Sequence, residues 1–168
     1  ELGGKSPNIV FADADIAKAA AGAARAAFYN SGQICTAGSR LLVEESIADE
    51  LAAAVVEAGR TFTVGDPLDP DTQMGPLVSQ AQHQRVLGYI ETGDREGAKR
   101  LAGGGRDGAG YYVEPTVFAG VRNDMTIARD EIFGPVLSVI TFRDVTEAAA
   151  IAKDTDYALG AGIWTRDV

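Results

Sequence analysis

Hydrophobic and polar residues along this chain follow two rhythms that take turns. Pro7-Asn8-Ile9-Val10-Phe11 is a short apolar run that predicts a buried strand. Asp13 or Asp15 then caps a helix in which Ile16, Ala20, Ala23, Ala27 and Phe28 recur at helical spacing, and Asn30-Ser31-Gly32 ends it. Arg40 to Val43 predicts a second strand. Ser46-Ile47-Ala48-Asp49, a near capping box, opens a second helix with Ile47, Leu51, Val55 and Ala58 on one face. Three prolines, Pro67, Pro70 and Pro76, make Gly65 to Leu77 an extended surface loop. Ser79-Gln80-Ala81-Gln82 matches a capping box, from which a helix runs to Glu96 with Val86, Leu87 and Ile90 facing inward. Short strands are predicted around Arg100 to Ala102, Val113 to Phe118, Val136 to Phe142 and Ala161 to Trp164, with Val145 to Lys153 as the last helix.

Strands alternating with helices predict an α/β fold: an open, mostly parallel sheet with helices on both faces, whose sites are expected at the carboxyl ends of the strands. The chain of 168 residues has the length of one domain, and it contains no internal repeat. Its last strand reaches the chain terminus, which suggests a piece of something longer.

Charge narrows the partners. With 24 acidic and 15 basic residues the net charge is −9, and no run of lysines or arginines offers the clustered positive charge that phosphate backbones need, so nucleic acid is not an expected partner. No apolar stretch approaches the roughly 20 residues needed to cross a bilayer, so no membrane association is expected. A single cysteine excludes an intramolecular disulfide and fits a reducing compartment, hence a cytoplasmic location. No ligand spacing for zinc or calcium occurs, and no metal is expected.

Three segments carry candidate chemistry. Cys35 follows Gly32-Gln33-Ile34 at a junction between helix and strand, where a thiolate can attack a carbonyl carbon; a lone cysteine is equally a small buried hydrophobe. Glu1 precedes the paired glycines Gly3-Gly4 at the mouth of the first strand, placed either to take a proton from water or simply exposed at a terminus. Glu131-Ile132-Phe133-Gly134-Pro135 combines a carboxylate able to accept from a ribose with an aromatic able to pack on a heterocycle, or forms a plain turn. Gly103-Gly104-Gly105-Arg106-Asp107-Gly108 spells a dinucleotide fingerprint but leads to Tyr111-Tyr112-Val113 and not to a helix, so it reads as a hairpin connection. His83, the sole histidine, lies on a helix far along the chain and gives weak support to a Cys-His dyad.

Taken together, Glu1-Leu2-Gly3-Gly4-Lys5-Ser6-Pro7, then Asn30-Ser31-Gly32-Gln33-Ile34-Cys35-Thr36-Ala37-Gly38-Ser39-Arg40, and Glu131-Ile132-Phe133-Gly134-Pro135-Val136 resemble the aldehyde dehydrogenase superfamily in order and spacing. Val64-Gly65-Asp66-Pro67, Met74-Gly75-Pro76-Leu77 and Tyr112-Val113-Glu114-Pro115-Thr116 are similar to its connecting segments, so the resemblance covers the whole chain.

The resemblance implies an NAD(P)-dependent oxidation of a small-molecule aldehyde to a carboxylic acid, with NAD favoured over NADP. Cys35 is implied as the nucleophile that forms a thiohemiacetal and then a thioester, and Glu1 as the base that activates the hydrolytic water. Leu2 and Gly3 are implied to line the nicotinamide pocket, Glu131 to hold the nicotinamide ribose, Phe133 to pack beside it, and Gln82 and Arg85 to lie near the adenosine ribose. Tyr29, Ile34 and Thr36 flank the nucleophile and suggest a moderately apolar substrate pocket. Residues 1–168 then form a partial catalytic domain, without the upstream cofactor-binding domain, the oxyanion-hole asparagine or the C-terminal segment. The chain alone is therefore expected not to oxidise aldehydes, and the full-length enzyme to be a homo-oligomer, a dimer or tetramer. Two other readings stay open: a thiol esterase or acyl-transfer module using Cys35 and Glu1, and a non-catalytic module that dimerises through the helix face bearing Leu51 and Val55.

Overall fold

The computed structural model describes residues 2–105 and 110–167. In chain order its elements are β1 (Pro7–Val10), α1 (Ile16–Phe28), β2 (Arg40–Glu44), α2 (Ala48–Arg60), α3 (Gln80–Arg95), β3 (Lys99–Gly105), β4 (Val113–Ala119), α4 (Thr126–Arg129), β5 (Val136–Phe142), α5 (Val145–Lys153) and β6 (Gly162–Trp164). The strands form one sheet in the order β3-β4-β5-β2-β1-β6. All pairings are parallel except β3 with β4, an antiparallel edge pair that agrees with reading the glycine-rich stretch from Gly103 as a hairpin connection. A hairpin needs only a short connection, whereas a parallel neighbour needs a crossover, and the short stretch from Gly105 to Val113 holds no helix in the described residues.

Alternate residues of each strand face opposite layers. Val10, Leu41, Val43, Val117, Leu137 and Val139 pack with the alanine-rich face of α1 and with Leu51 and Val55 of α2. Ile9, Leu42, Phe118, Val136, Ile140 and Phe142 pack with Val86 and Ile90 of α3, Ile127 of α4 and Ala148 of α5. Helices therefore cover both faces, and strands buried on both sides read as continuous apolar runs, as a parallel sheet requires. Small side chains on α1 (Ala19, Ala20, Ala23, Ala24 and Ala27, all buried) let it lie close to sheet and α2 at once.

Four expectations need correction. Leu51 and Val55 are fully buried in the core, so the α2 face that carries them is already occupied within the chain and is not a free dimerisation face. Ser46 does not cap α2: residues Glu45–Ile47 form a 3-10 turn, Ile47 occupies the cap position, and no side chain accepts a bond there. The short helix α4 went unpredicted because four residues are too few for a periodicity to register. The fourth concerns the end of the sheet at which the candidate residues gather.

Asp15 and Ser79 cap their helices as expected, and Asp144, which was not singled out, caps α5. Asp15 accepts from the Lys18 amide at 3.1 Å, Ser79 from the Gln82 amide at 3.2 Å, and Asp144 from the Glu147 amide at 2.9 Å. The Gln82 side chain, however, does not reach back to Ser79; it is used elsewhere, as described below.

Candidate functional site at the amino ends of three strands

The three candidate motifs each precede a strand: Gly3-Gly4 leads into β1, Cys35 into β2, and Glu131 to Pro135 into β5. Since β5, β2 and β1 are consecutive parallel neighbours, their amino ends lie side by side. The candidate residues therefore meet at the amino edge of the sheet and not at the carboxyl edge expected for doubly wound folds. The order of motif before strand was present in the sequence; only the general rule pointed the other way.

Contacts between the motifs are direct. The Gly4 N–H donates to the Glu131 carboxylate at 2.8 Å, a charge-assisted bond that joins the first motif to the third. A Cβ added to Gly4 would collide with the carbonyl of Cys35, and one added to Gly32 with the carbonyl of Gly134. Glycine is needed at both places because backbone runs against backbone. The chain around Cys35 is a tight turn, closed by an Ala37 to Ile34 amide bond of 3.0 Å. Cys35 as a residue is half-buried.

One face of α3 holds the third motif. Gln82, Arg85 and Tyr89, spaced three and four residues apart, all engage residues 130–133. Both amide hydrogens of Gln82 are spent there, on the carbonyls of Ile132 (3.0 Å) and Phe133 (2.8 Å). Arg85 donates to the Glu131 carbonyl at 3.0 Å and lies 5.6 Å from the Tyr89 ring, while the Tyr89 hydroxyl donates to Asp130 at 3.1 Å. This clamp secures Phe133 in a left-handed conformation, φ +55°, which a phenylalanine does not adopt unassisted. Tyr89 and Asp130 were not singled out from the sequence, although the Gln82-Arg85-Tyr89 spacing was a legible signal for one shared polar face.

Tyr29, Ile34 and Thr36 line a single shallow cavity of about 370 Å³ together with Arg25, which stacks 5.2 Å over the Tyr29 ring. His83 lies apart from this group, its Nε2 in contact with the Tyr112 carbonyl at 3.2 Å, and it supplies no base to Cys35. Gly103 to Gly105 close β3 and pair with β4, while Arg106, Asp107 and Gly108 lie outside the described residues, as does Glu1. Among the described residues no three histidine, cysteine, aspartate or glutamate side chains are grouped to hold a metal, and no helix is long and apolar enough to cross a membrane.

Beneath the site lie two buried cations. Arg40 is fully buried and donates to the carbonyls of Lys5 (3.0 Å), Ile151 (3.0 Å) and Ala152 (2.9 Å) and to the Asn123 side chain (3.0 Å). Two of these carbonyls belong to the last turn of α5, whose dipole favours a cation. Lys5 is buried too, and its amine has no hydrogen-bond partner. Burial, reinforced by the nearby Arg40 charge and opposed by Asp130 and Glu131, pushes the Lys5 amine down from 10.5 to about 7.

That shift has a stability consequence with a definite sign. Between pH 7 and 10.5 the unfolded chain holds a proton on Lys5 that the folded chain has released, so stability rises with pH through this window. The destabilisation is fully present below about pH 7 and gone above about pH 10.5. Lys5→Met is expected to stabilise the fold by on the order of 4 kcal/mol near neutral pH, with the gain vanishing toward pH 10.5. Denaturant unfolding of both proteins at several pH values checks this; a gain independent of pH would contradict it.

The surroundings fit the nicotinamide end of a dinucleotide. Glu131 is fixed by Gly4 yet keeps acceptor capacity for a ribose hydroxyl, Phe133 is half-buried, and Leu2 is 95% exposed beside them. Gly3 keeps the backbone low here: an added Cβ would stand 2.6 Å from a Glu131 oxygen and 3.2 Å from the Tyr157 ring.

Comparison with known proteins places the chain. Residues 1–168 match the model of the aldehyde dehydrogenase family. A betaine aldehyde dehydrogenase of Mesorhizobium japonicum is 52% identical over all of this chain and 36% of its own length, and aldehyde dehydrogenase 1A1 of Gallus gallus is 48% identical over all of this chain and 33% of its own. Among solved structures, the aldehyde dehydrogenase KauB from Pseudomonas aeruginosa superposes with a TM-score of 0.97 at 56% identity, covering 99% of this chain and 34% of that one. An indole-3-acetaldehyde dehydrogenase of P. syringae in complex with NAD+ also gives 0.97, at 54% identity, with 99% and 34% coverage. The chain thus spans about a third of the length of the relatives it matches. On this match, the fold agreement over 99% of this chain and the three converging motifs, the chain belongs to the aldehyde dehydrogenase family.

Proposed function

We propose that the protein containing this chain oxidises an aldehyde to a carboxylic acid, with Cys35 as nucleophile and a nicotinamide dinucleotide, NAD before NADP, as acceptor. The observation that carries this reading is the junction of Gly3-Gly4, Cys35 and Glu131 at one edge of the sheet, tied by the Gly4 to Glu131 bond. Three similar solved structures, two of indole-3-acetaldehyde dehydrogenase and one of the aldehyde dehydrogenase AldC from Pseudomonas syringae, contain NAD+, which supports the choice of acceptor.

In this account the Cys35 thiolate adds to the aldehyde carbonyl, and the oxygen becomes an alkoxide held in part by the Cys35 backbone N–H. The bound dinucleotide supplies the acceptor for the hydride that leaves this carbon. A thioester on Cys35 remains. Glu1 takes a proton from a water that attacks it, releasing the acid and the free thiol. Glu131 holds the nicotinamide ribose, Phe133 and Leu2 bound the ring, and Tyr29, Ile34 and Thr36 border the aldehyde. Gln82 and Arg85, read as neighbours of the adenosine ribose, have the further task of fixing the Glu131 to Phe133 backbone. Residues beyond this third of the length complete the dinucleotide site, the oxyanion hole and the homo-oligomer, and the protein works in the cytoplasm.

Glu131→Gln tests the assignment of the ribose. The variant keeps the shape and the Gly4 contact but replaces a charged acceptor with a neutral one, a loss of about 1–2 kcal/mol or roughly tenfold in affinity. Steady-state assays with aldehyde in excess should show the KM for dinucleotide rising about tenfold while the KM for aldehyde stays within twofold. An unchanged dinucleotide KM and kcat would remove Glu131 from the site.

A further inference from the structure

The turn that presents Cys35 is built from unfavourable backbone. Asn30, Ser31 and Gly32 follow one another with φ of 51°, 57° and 69°, a left-handed turn between α1 and the nucleophile. Asparagine and glycine tolerate this region, whereas serine held there costs about 1–2 kcal/mol. Ser31 is 4% exposed, so solvent does not hold it in place.

What holds it comes from a distant part of the chain. The Ser31 hydroxyl donates to the Gly75 carbonyl at 2.8 Å, and the Gln33 side-chain oxygen accepts from the Val78 N–H at 3.0 Å. The other end of the Gln33 amide, 3.5 Å from the Asn30 carbonyl, reaches back to the turn, as does the Gln33 backbone N–H at 3.1 Å. The strap itself is firm. Met74 and Leu77 are buried, and their amides bond to Thr63 and Tyr111 at 3.0 and 2.8 Å.

We propose that residues 75–78 act as a strap that fixes the nucleophile turn, with Ser31 and Gln33 as positioning residues for the Cys35 thiol. The inference rests on Cys35 being the nucleophile, and it adds that the thiol's position is set by a proline-containing loop distant in sequence. Addition to a carbonyl carbon from above its plane tolerates little displacement, and an error of about 1 Å in such a geometry costs up to about 100-fold in rate. Releasing either tether therefore acts on the acylation step and leaves dinucleotide binding alone.

Three variants of the polypeptide that carries this chain test it. Ser31→Ala keeps the strained backbone and removes the tether, Ser31→Gly removes both, and Gln33→Leu removes the second tether at a half-buried position where folding is less at stake. The readouts are the rate of the first turnover with aldehyde, iodoacetamide labelling of the Cys35 peptide across pH, and the dinucleotide dissociation constant. All three variants should acylate about tenfold or more slowly with dinucleotide affinity within twofold of the parent, and Ser31→Gly should not recover the rate. First-turnover rates within twofold of the parent in Gln33→Leu and in either Ser31 variant would overturn the strap. Cys35→Ala separates the two readings: if it is inactive while the strap variants are unimpaired, only the strap falls, and if it retains the parent rate, both fall.

Discussion

Replacing Cys35 by alanine is expected to lower aldehyde-dependent dinucleotide reduction by at least about 10⁴-fold in the polypeptide that carries this chain, since the covalent route loses the thiol that opens it. The geometry gives this expectation its sharpness. Cys35 is the only cysteine of the chain, it is half-buried, and its carbonyl lies against Gly4. His83 is engaged elsewhere, its Nε2 in contact with the Tyr112 carbonyl. Alanine occupies less space than cysteine and leaves every backbone contact of the turn intact, so stability should change little. A variant that folds, binds dinucleotide with parental affinity and fails at turnover is the predicted outcome; stopped-flow absorbance of the reduced dinucleotide measures it.

The largest effect on stability is expected at Arg40. Its guanidinium satisfies three main-chain carbonyls and Asn123 in a place without water access, and it links the chain entering β1 to the end of α5. Asn123 extends the link by donating to Asp154, which in turn pairs with Arg129 at 3.0 Å. Arg40→Met fills a similar volume but leaves those acceptors unpaired, at about 3–5 kcal/mol. Arg40→Lys should fall between parent and methionine variant, since an ammonium cannot span four acceptors arranged around a planar fork. Denaturant midpoints at constant m-value read this directly. A loss below about 1 kcal/mol for Arg40→Met would mean that the network is not what seats the Lys5 backbone.

Much of the fold was legible because the helical rhythm is clear. Val136 to Phe142 and Val145 to Lys153 appear with the predicted limits, and Asp15 and Ser79 cap their helices through the short side chains that make such residues good caps. Pairing was less legible. The antiparallel direction of β3 against β4 was legible only in the short glycine-rich connection read as a hairpin, since direction depends on the connection and not on the composition of the strand itself. Ser46 shows the same limit at a smaller scale: a cap motif forms only where the backbone turns after it, and here a 3-10 turn intervenes.

The candidate site was legible as motifs and not as a constellation. Cys35 and Glu131 could be singled out by chemistry, but that they converge on Gly4 follows from β5, β2 and β1 being parallel neighbours. The contact between Ser31 and Gly75 gave no signal, although both residues lie in segments that were singled out, because a hydroxyl reaching a carbonyl 44 residues away leaves no local pattern. Lys5 and Arg40 look like surface cations in the sequence. Their burial is a property of the packed sheet and α5, and it makes one an anchor and the other a titrating group near neutrality.

The direct test of a covalent route through Cys35 is to catch the acyl group on it. Glu1→Gln should slow release of the acid, so mixing that variant with aldehyde and dinucleotide, quenching in acid and mapping peptides by mass spectrometry should show an acyl adduct on the peptide bearing Cys35, labile to hydroxylamine. Acid production at the parental rate without an adduct, or an adduct on another residue, would contradict the account.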